Sequence, residues 1–146
     1  MKYPVINIDL QKLKNNFNHL NEKCYNKNIQ LTVVTKGIAG DKEIIKELIN
    51  AGVNSIADSR LDNIKKIRDL NYKGEVILLR IPMKSEIKEA VDYIDHSLVS
   101  EKESCFYLSK EAKQKNKKIG VIVMVDIGDR REDRNKSGLF WWCYTR

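Results

Sequence analysis

Leu31-Thr32-Val33-Val34-Thr35-Lys36-Gly37-Ile38-Ala39-Gly40-Asp41 reads as a strand, a turn and the start of a helix. The β-branched run 31–35 suits a buried strand. Lys36 closes it at the rim of the core. Gly37 and Gly40 supply a flexible turn, and Asp41 is a good helix N-cap. A lysine at such a rim is costly to bury unless paired, and partial burial favours the uncharged, nucleophilic amine. The unit therefore reads in two ways: as a carbonyl-binding lysine at the mouth of an α/β fold, or as a surface lysine that merely ends a strand.

The same unit recurs on both sides. Upstream, Val5, Ile6 and Ile8 alternate as a short strand, and Asp9 caps a helix striped by Leu10, Leu13, Phe17, Leu20 and Cys24. Downstream, Ile44, Ile45, Leu48 and Ile49 form a helix stripe, with Gly52 just past its end. Strands then follow at 53–57, 75–81, 95–99 and 119–125. Helices lie between them, carrying Leu61, Ile64, Ile67 and Leu70, then Ile87, Ala90, Val91 and Ile94, then Cys105, Leu108 and Ala112. Ser85 and Ser100 are placed to start the last two helices.

Five such strands with helices between them predict parallel βαβ units with right-handed crossovers. Two architectures remain open. One is a partial (β/α)8 TIM barrel of about five β/α units. The other is a five-stranded, doubly wound parallel sheet, which would be complete at this length, whereas a full barrel takes about 250 residues. The expected organisation is an N-terminal strand over 1–9, a (β/α) region over 10–129 and an atypical tail over 130–146. The tail holds Phe140, Trp141, Trp142 and Tyr144 without strand or helix period. It reads either as a cover for a sheet edge or as an out-of-frame end.

The chain has 146 residues, 42% of them hydrophobic and 32% charged, as in an ordinary globular domain. Its formal charge of +7 is spread over the helices rather than gathered in a stripe with aromatics, which argues against nucleic acid as a partner. No apolar run is long enough to span a bilayer, so no membrane partner is expected. Cys24, Cys105 and Cys143 are odd in number and far apart, which fits reduced thiols and neither a disulfide framework nor a metal site. Together these features predict a cytoplasmic protein.

Several segments are similar to one family in the right order. They are Tyr3-Pro4-Val5-Ile6-Asn7-Ile8-Asp9-Leu10, Val33-Val34-Thr35-Lys36-Gly37, Asp58-Ser59-Arg60, Leu78-Leu79-Arg80-Ile81-Pro82-Met83, and Met124-Val125-Asp126-Ile127-Gly128-Asp129 with Arg131. The chain resembles the N-terminal part of the alanine racemase family over about residues 3–132, most nearly its ornithine racemase branch. The resemblance implies a pyridoxal 5′-phosphate enzyme, an isomerase acting on a small-molecule amino acid, with a Schiff base at Lys36 at the mouth of the barrel. It implies that Arg131 lies near the cofactor's phenolic oxygen, that residues 4–9 pair with a β domain formed late in the chain, and that the full-length protein is a homodimer. It also places the second base, a tyrosine of the partner subunit, and most of the phosphate site beyond this sequence. Asp133 departs from the glycine usual in the branch. The expectation is a truncated racemase domain, inactive alone.

Other residues are read beside that frame. Arg60 and Arg80 follow strands and either face the mouth, where anionic groups would sit, or form strand-end salt bridges. Asp58 reads as a helix cap with Ser59. Asp126 either orients Arg131 or makes a turn. His96 reads as a surface residue. Two further functions stay open: a single-domain pyridoxal phosphate carrier using Lys36, and a non-enzymatic basic α/β binding module.

Overall fold

The computed structural model describes residues 4–124. Helix α1 (Leu10–Tyr25) leads into five units: β1 (Val33–Val34), α2 (Lys42–Asn50), β2 (Ser55–Asp58), α3 (Leu61–Asp69), β3 (Glu75–Leu78), α4 (Ile87–Tyr93), β4 (His96–Val99), α5 (Lys102–Gln114) and β5 (Gly120–Val123). The strands form one sheet in the order β1-β2-β3-β4-β5, each pair parallel.

That order decides between the two architectures. A doubly wound sheet reverses direction once, which sends its helices to both faces. Here every crossover steps the same way, and right-handed crossovers then put every helix on one face. The packing agrees. Ile56, Val76 and Leu78 share a single core with Ile44, Ile45 and Leu48 of α2, Ile64 and Ile67 of α3, and Ala90 of α4. Val99 joins Ile87 and Val91 of α4 and Leu108 and Ala112 of α5 in a second cluster on the same side. The sheet is an arc of a (β/α) barrel, and the doubly wound alternative is wrong.

Local chemistry explains most element ends. Asp9 caps α1 by accepting from the Lys12 amide at 3.0 Å, and Asp41 caps α2 by accepting from Glu43 and Ile44 amides at 3.0 and 3.1 Å. Gly52 has φ +88, the left-handed conformation needed to leave α2. The two serine caps are not used. Glu86 and Glu101 occupy the cap positions of α4 and α5 without side-chain capping bonds. At α4 the entry is held instead by the Glu86 carboxylate, which accepts from the Met83 amide at 3.1 Å.

Two strand expectations change. Residues 4–9 form no strand within the described residues, and Val5 and Ile6 are exposed. Their alternation needs a partner strand, and none is present there. β1 is two residues long rather than five and lies at the edge of the sheet, so Val34 is 49% exposed. The buried parallel strands are β2 and β3, in the middle of the arc.

The lower end of the sheet is polar on the face without helices. Thr32 donates to Ser55 at 3.0 Å, Gln30 to Glu75 at 2.9 Å, and His96 Nδ1 lies 3.1 Å from Glu75. Gly120 makes room for the His96 ring, because a Cβ there would overlap His96 Cδ2. His96 is thus part of the sheet's packing and not a plain surface residue.

Tyr72, in the α3–β3 loop, donates its hydroxyl to the Val53 carbonyl at 3.2 Å. Burial pushes this phenol up to about 12 from 10.0. The folded state therefore holds the proton more tightly than the unfolded chain. Its contribution to stability is complete below pH 10 and is lost as pH rises from 10 to about 12. Urea titrations in that window are expected to show a fall in stability that is smaller in Tyr72→Phe. An equal fall in both would contradict the assignment.

No helix among the described residues is long and apolar enough to cross a membrane.

Candidate active site at the strand tips

All five strands run the same way, so their C-terminal ends gather on one rim of the arc. In barrels of this type, ligands sit at that rim, because the βα loops there vary while the strands hold them. Lys36 follows β1 on this rim. The Thr35 amide donates to the Ala57 carbonyl at 2.9 Å, the last ladder bond before the chain turns. A 3-10 turn over Lys36–Ile38 follows, closed by the Ile38 amide donating to Thr35 O at 3.1 Å. Ala39 (φ 51) and Gly40 (φ 69) then take left-handed conformations that swing the chain into α2. A side chain at Gly37 would meet nothing within 4 Å, so the space beside the lysine is open.

Lys36 itself is exposed. The expectation of a partly buried amine fails because β1 has a neighbour on one side only within the described residues.

The turn is gripped from below by a buried polar cluster. Asp58, at the end of β2, has 0% exposure. Its Oδ2 accepts from the Thr35 hydroxyl at 2.8 Å; its Oδ1 accepts from the Arg60 amide at 2.9 Å and the Asn63 side-chain amide at 3.1 Å. Asp58 is thus not a simple cap: α3 begins after Arg60, which makes no side-chain cap. Asn63 in turn abuts Gly40, where a Cβ would stand 2.8 Å from Asn63 Oδ1. Lys66 donates to the Ala39 carbonyl at 3.2 Å. The roles of Thr35 and Asn63 are not evident from local sequence pattern, because both depend on a partner in another element. The available signal was Asn63, a polar residue one turn before Ile67 beside an otherwise apolar stripe.

The two arginines part company. Arg60 is exposed on the β2 tip. Arg80, after β3, makes a bidentate pair with Glu86 at 2.7 and 2.8 Å and donates to Ser59 O at 2.7 Å and Ile81 O at 3.2 Å. These bonds to Arg80 hold the Glu86 carboxyl below its ordinary range. Arg80 therefore ties the β2 and β3 tips together, with four of its five guanidinium N–H groups donating to the protein. Asp126 and Arg131 lie outside the described residues. Among the described residues, no group of three or more His, Cys, Asp or Glu is placed to hold a metal.

The family model described as "Alanine racemase, N-terminal domain" matches residues 8–137, and the chain belongs to that family. It is 42% identical over 130 residues to the ornithine racemase of Acetoanaerobium sticklandii, covering 89% of this chain and 36% of that protein. It is 30% identical over 132 residues to the lysine racemase of Thermotoga maritima, covering 90% and 37%. The chain thus spans little more than a third of the length of these relatives. Among solved structures, it resembles a D-threonine aldolase from Filomicrobium marinum with TM-score 0.72 at 16% identity, covering 89% of this chain and 36% of that one. It also resembles a histidine racemase from Leuconostoc mesenteroides with TM-score 0.67 at 20% identity, covering 87% and 35%. These likenesses establish the barrel-type fold.

Proposed function

We propose that this chain supplies the cofactor-binding lysine of a pyridoxal 5′-phosphate-dependent amino-acid racemase, and that Lys36 is that lysine. The observation that carries the reading is the exposed primary amine of Lys36, presented on the strand-tip rim by a turn gripped from the neighbouring strand. The residues present fit the cofactor's chemistry. A primary amine is the group that condenses with an aldehyde, and the exposed guanidinium of Arg60 on the next tip suits a phosphate or carboxylate. When bound, pyridoxal phosphate supplies an electron sink for the charge left at a substrate's Cα.

The residues divide the remaining work. Lys36 Nζ would take or return the Cα proton on one face. Arg60 attracts the anionic groups of cofactor or substrate. Arg131 is assigned to the phenolic oxygen on the strength of the sequence resemblance, and Asp126, five residues before it, either orients it or makes a turn. The likeness to ornithine and lysine racemases favours a basic amino acid as substrate. The second proton-transfer group, for the opposite face, is assigned to a segment beyond the matched third of the relatives, in a homodimer.

A visible absorption spectrum tests the reading. The protein mixed with pyridoxal phosphate is expected to develop the band of a lysine Schiff base. Lys36→Ala is expected to weaken that band by about ten-fold or more, because the proposal assigns the band to this amine. Replacing Lys110, exposed on α5, is expected to leave it unchanged. A full band in Lys36→Ala would refute the proposal.

A further inference from the structure

The geometry points to Asp58 as a positioning residue for Lys36, acting through Thr35 on one side of the lysine's turn and through Asn63 and Gly40 on the other. This rests on the reading of Lys36 as the cofactor lysine, and adds to it the device that aims the amine.

Asp58 is fully buried, and no cation is within ion-pair distance of it among the described residues. A carboxylate in that position is expensive unless its lone pairs are filled. Three neutral donors fill them: the Thr35 hydroxyl, the Arg60 amide and the Asn63 side chain. Two of these belong to β2–α3: the Arg60 amide closes an ordinary Asx turn, and the Asn63 side chain adds a second donor to the same oxygen. The third is across the sheet. Thr35 immediately follows β1 and precedes Lys36; the edge strand holds β2 by a two-residue ladder and by the Thr35 amide bond to the Ala57 carbonyl. The Thr35–Asp58 bond at 2.8 Å therefore pins the residue from which the lysine's turn springs.

The other end of the turn is fixed by shape. Gly40 lies so close to Asn63 that a Cβ would come within 2.8 Å of its side-chain oxygen, and φ +69 at Gly40 disfavours any other residue. The Asn63 amide is oriented by Asp58 Oδ1 at 3.1 Å. One carboxylate thus sets both ends of the segment 35–40. An exposed lysine has four rotatable bonds and large side-chain entropy, so fixing its backbone is the means these residues have of aiming it.

Asparagine at 58 preserves most of this arrangement. Its carbonyl oxygen accepts from Arg60 and Asn63, while its amide donates to Thr35, whose hydroxyl then donates to the Ala57 carbonyl 3.4 Å away. Leucine preserves only volume. Thr35→Val removes the hydroxyl's bonds to Asp58 and to the Ala57 carbonyl at nearly constant shape and leaves the Thr35 amide bond to Ala57 in place.

The test is site-selective labelling, with a distant lysine as internal reference. Wild type, Asp58→Leu, Asp58→Asn and Thr35→Val are treated briefly with pyridoxal phosphate, reduced with borohydride, digested and quantified, well below each variant's unfolding temperature. The readout is label at Lys36 divided by label at exposed Lys110 in the same sample. Loss of orientation predicts a fall of about ten-fold in Asp58→Leu and about three-fold in Thr35→Val, with Asp58→Asn within about two-fold of wild type. A role confined to stability would lower the unfolding temperature and leave this ratio unchanged in folded protein, which would overturn the inference. If Asp58→Leu does not fold, Thr35→Val decides by the same criterion. A wild type labelled selectively at Lys36, with no change in either variant, defeats the role of Asp58 alone. A wild type without selectivity for Lys36 defeats the functional reading and this inference with it.

Discussion

The 146-residue chain, saturated with pyridoxal phosphate, is expected to racemise ornithine at least about a hundred-fold more slowly than a full-length ornithine racemase, the typical cost of losing one positioned acid–base group. Racemisation takes a proton from one face of Cα and returns it to the other. In the proposed scheme Lys36 serves one face, and the group for the opposite face belongs to the two-thirds of the relatives that this chain does not match. Exchange of the Cα proton with solvent requires only one face, so it is expected to survive better than inversion. A chiral assay run in deuterated water separates the two. Inversion at a rate comparable with a full-length racemase would show that the assignment of the second proton-transfer group is wrong.

Arg68→Ala is expected to cost about 2–4 kcal/mol, because it strands several acceptors at once. From α3, the guanidinium donates to Tyr93 O at 2.9 Å, Tyr72 O at 3.0 Å, Gly74 O at 2.9 Å and Asp95 Oδ2 at 2.7 Å. Asp95 Oδ2 also accepts from the Val76 amide at 2.8 Å. The cluster therefore joins α3, the loop before β3, the end of α4 and the start of β4. Set against a domain stability of about 5–15 kcal/mol, this is a large fraction. Lysine is expected to recover little, since its point charge cannot reproduce the planar fork. Arg60→Ala, on an exposed tip, is the control and is expected to stay within about 0.5 kcal/mol of wild type. Urea midpoints measure both. An Arg68→Ala midpoint equal to that of wild type would contradict the hub role.

Periodicity made the individual elements readable. Apolar residues alternate with the helix and strand periods, so β1–β5 and α2–α5 appear in the sequence in their observed order. It does not state which strand lies beside which. Ile56 and Val76 are core-facing in either architecture, and only the one-way order of the crossovers closes the question. The edge positions misled for a related reason. Val5, Ile6 and Val34 have strand character, but burial depends on neighbours that a local pattern does not specify. Polar residues divided similarly. Asp9 and Asp41 cap the helices they precede, because capping is a local event. Asp58 looks like another cap, yet its decisive partner is Thr35, twenty-three positions away and across the sheet. Arg80 and Arg60 look alike at the ends of strands. Glu86, six residues after Arg80, occupies the first, and Arg60 remains exposed. Lys36 was legible as a strand-end lysine before a glycine turn. Its exposure was not, because that follows from β1 being at the edge.

Borohydride reduction of the pyridoxal phosphate complex, followed by peptide mapping of every lysine, tests the central claim most directly. The account predicts that most of the reduced pyridoxyl label sits on Lys36 at stoichiometric cofactor. Label spread evenly over the exposed lysines, or concentrated on any residue other than Lys36, would contradict it.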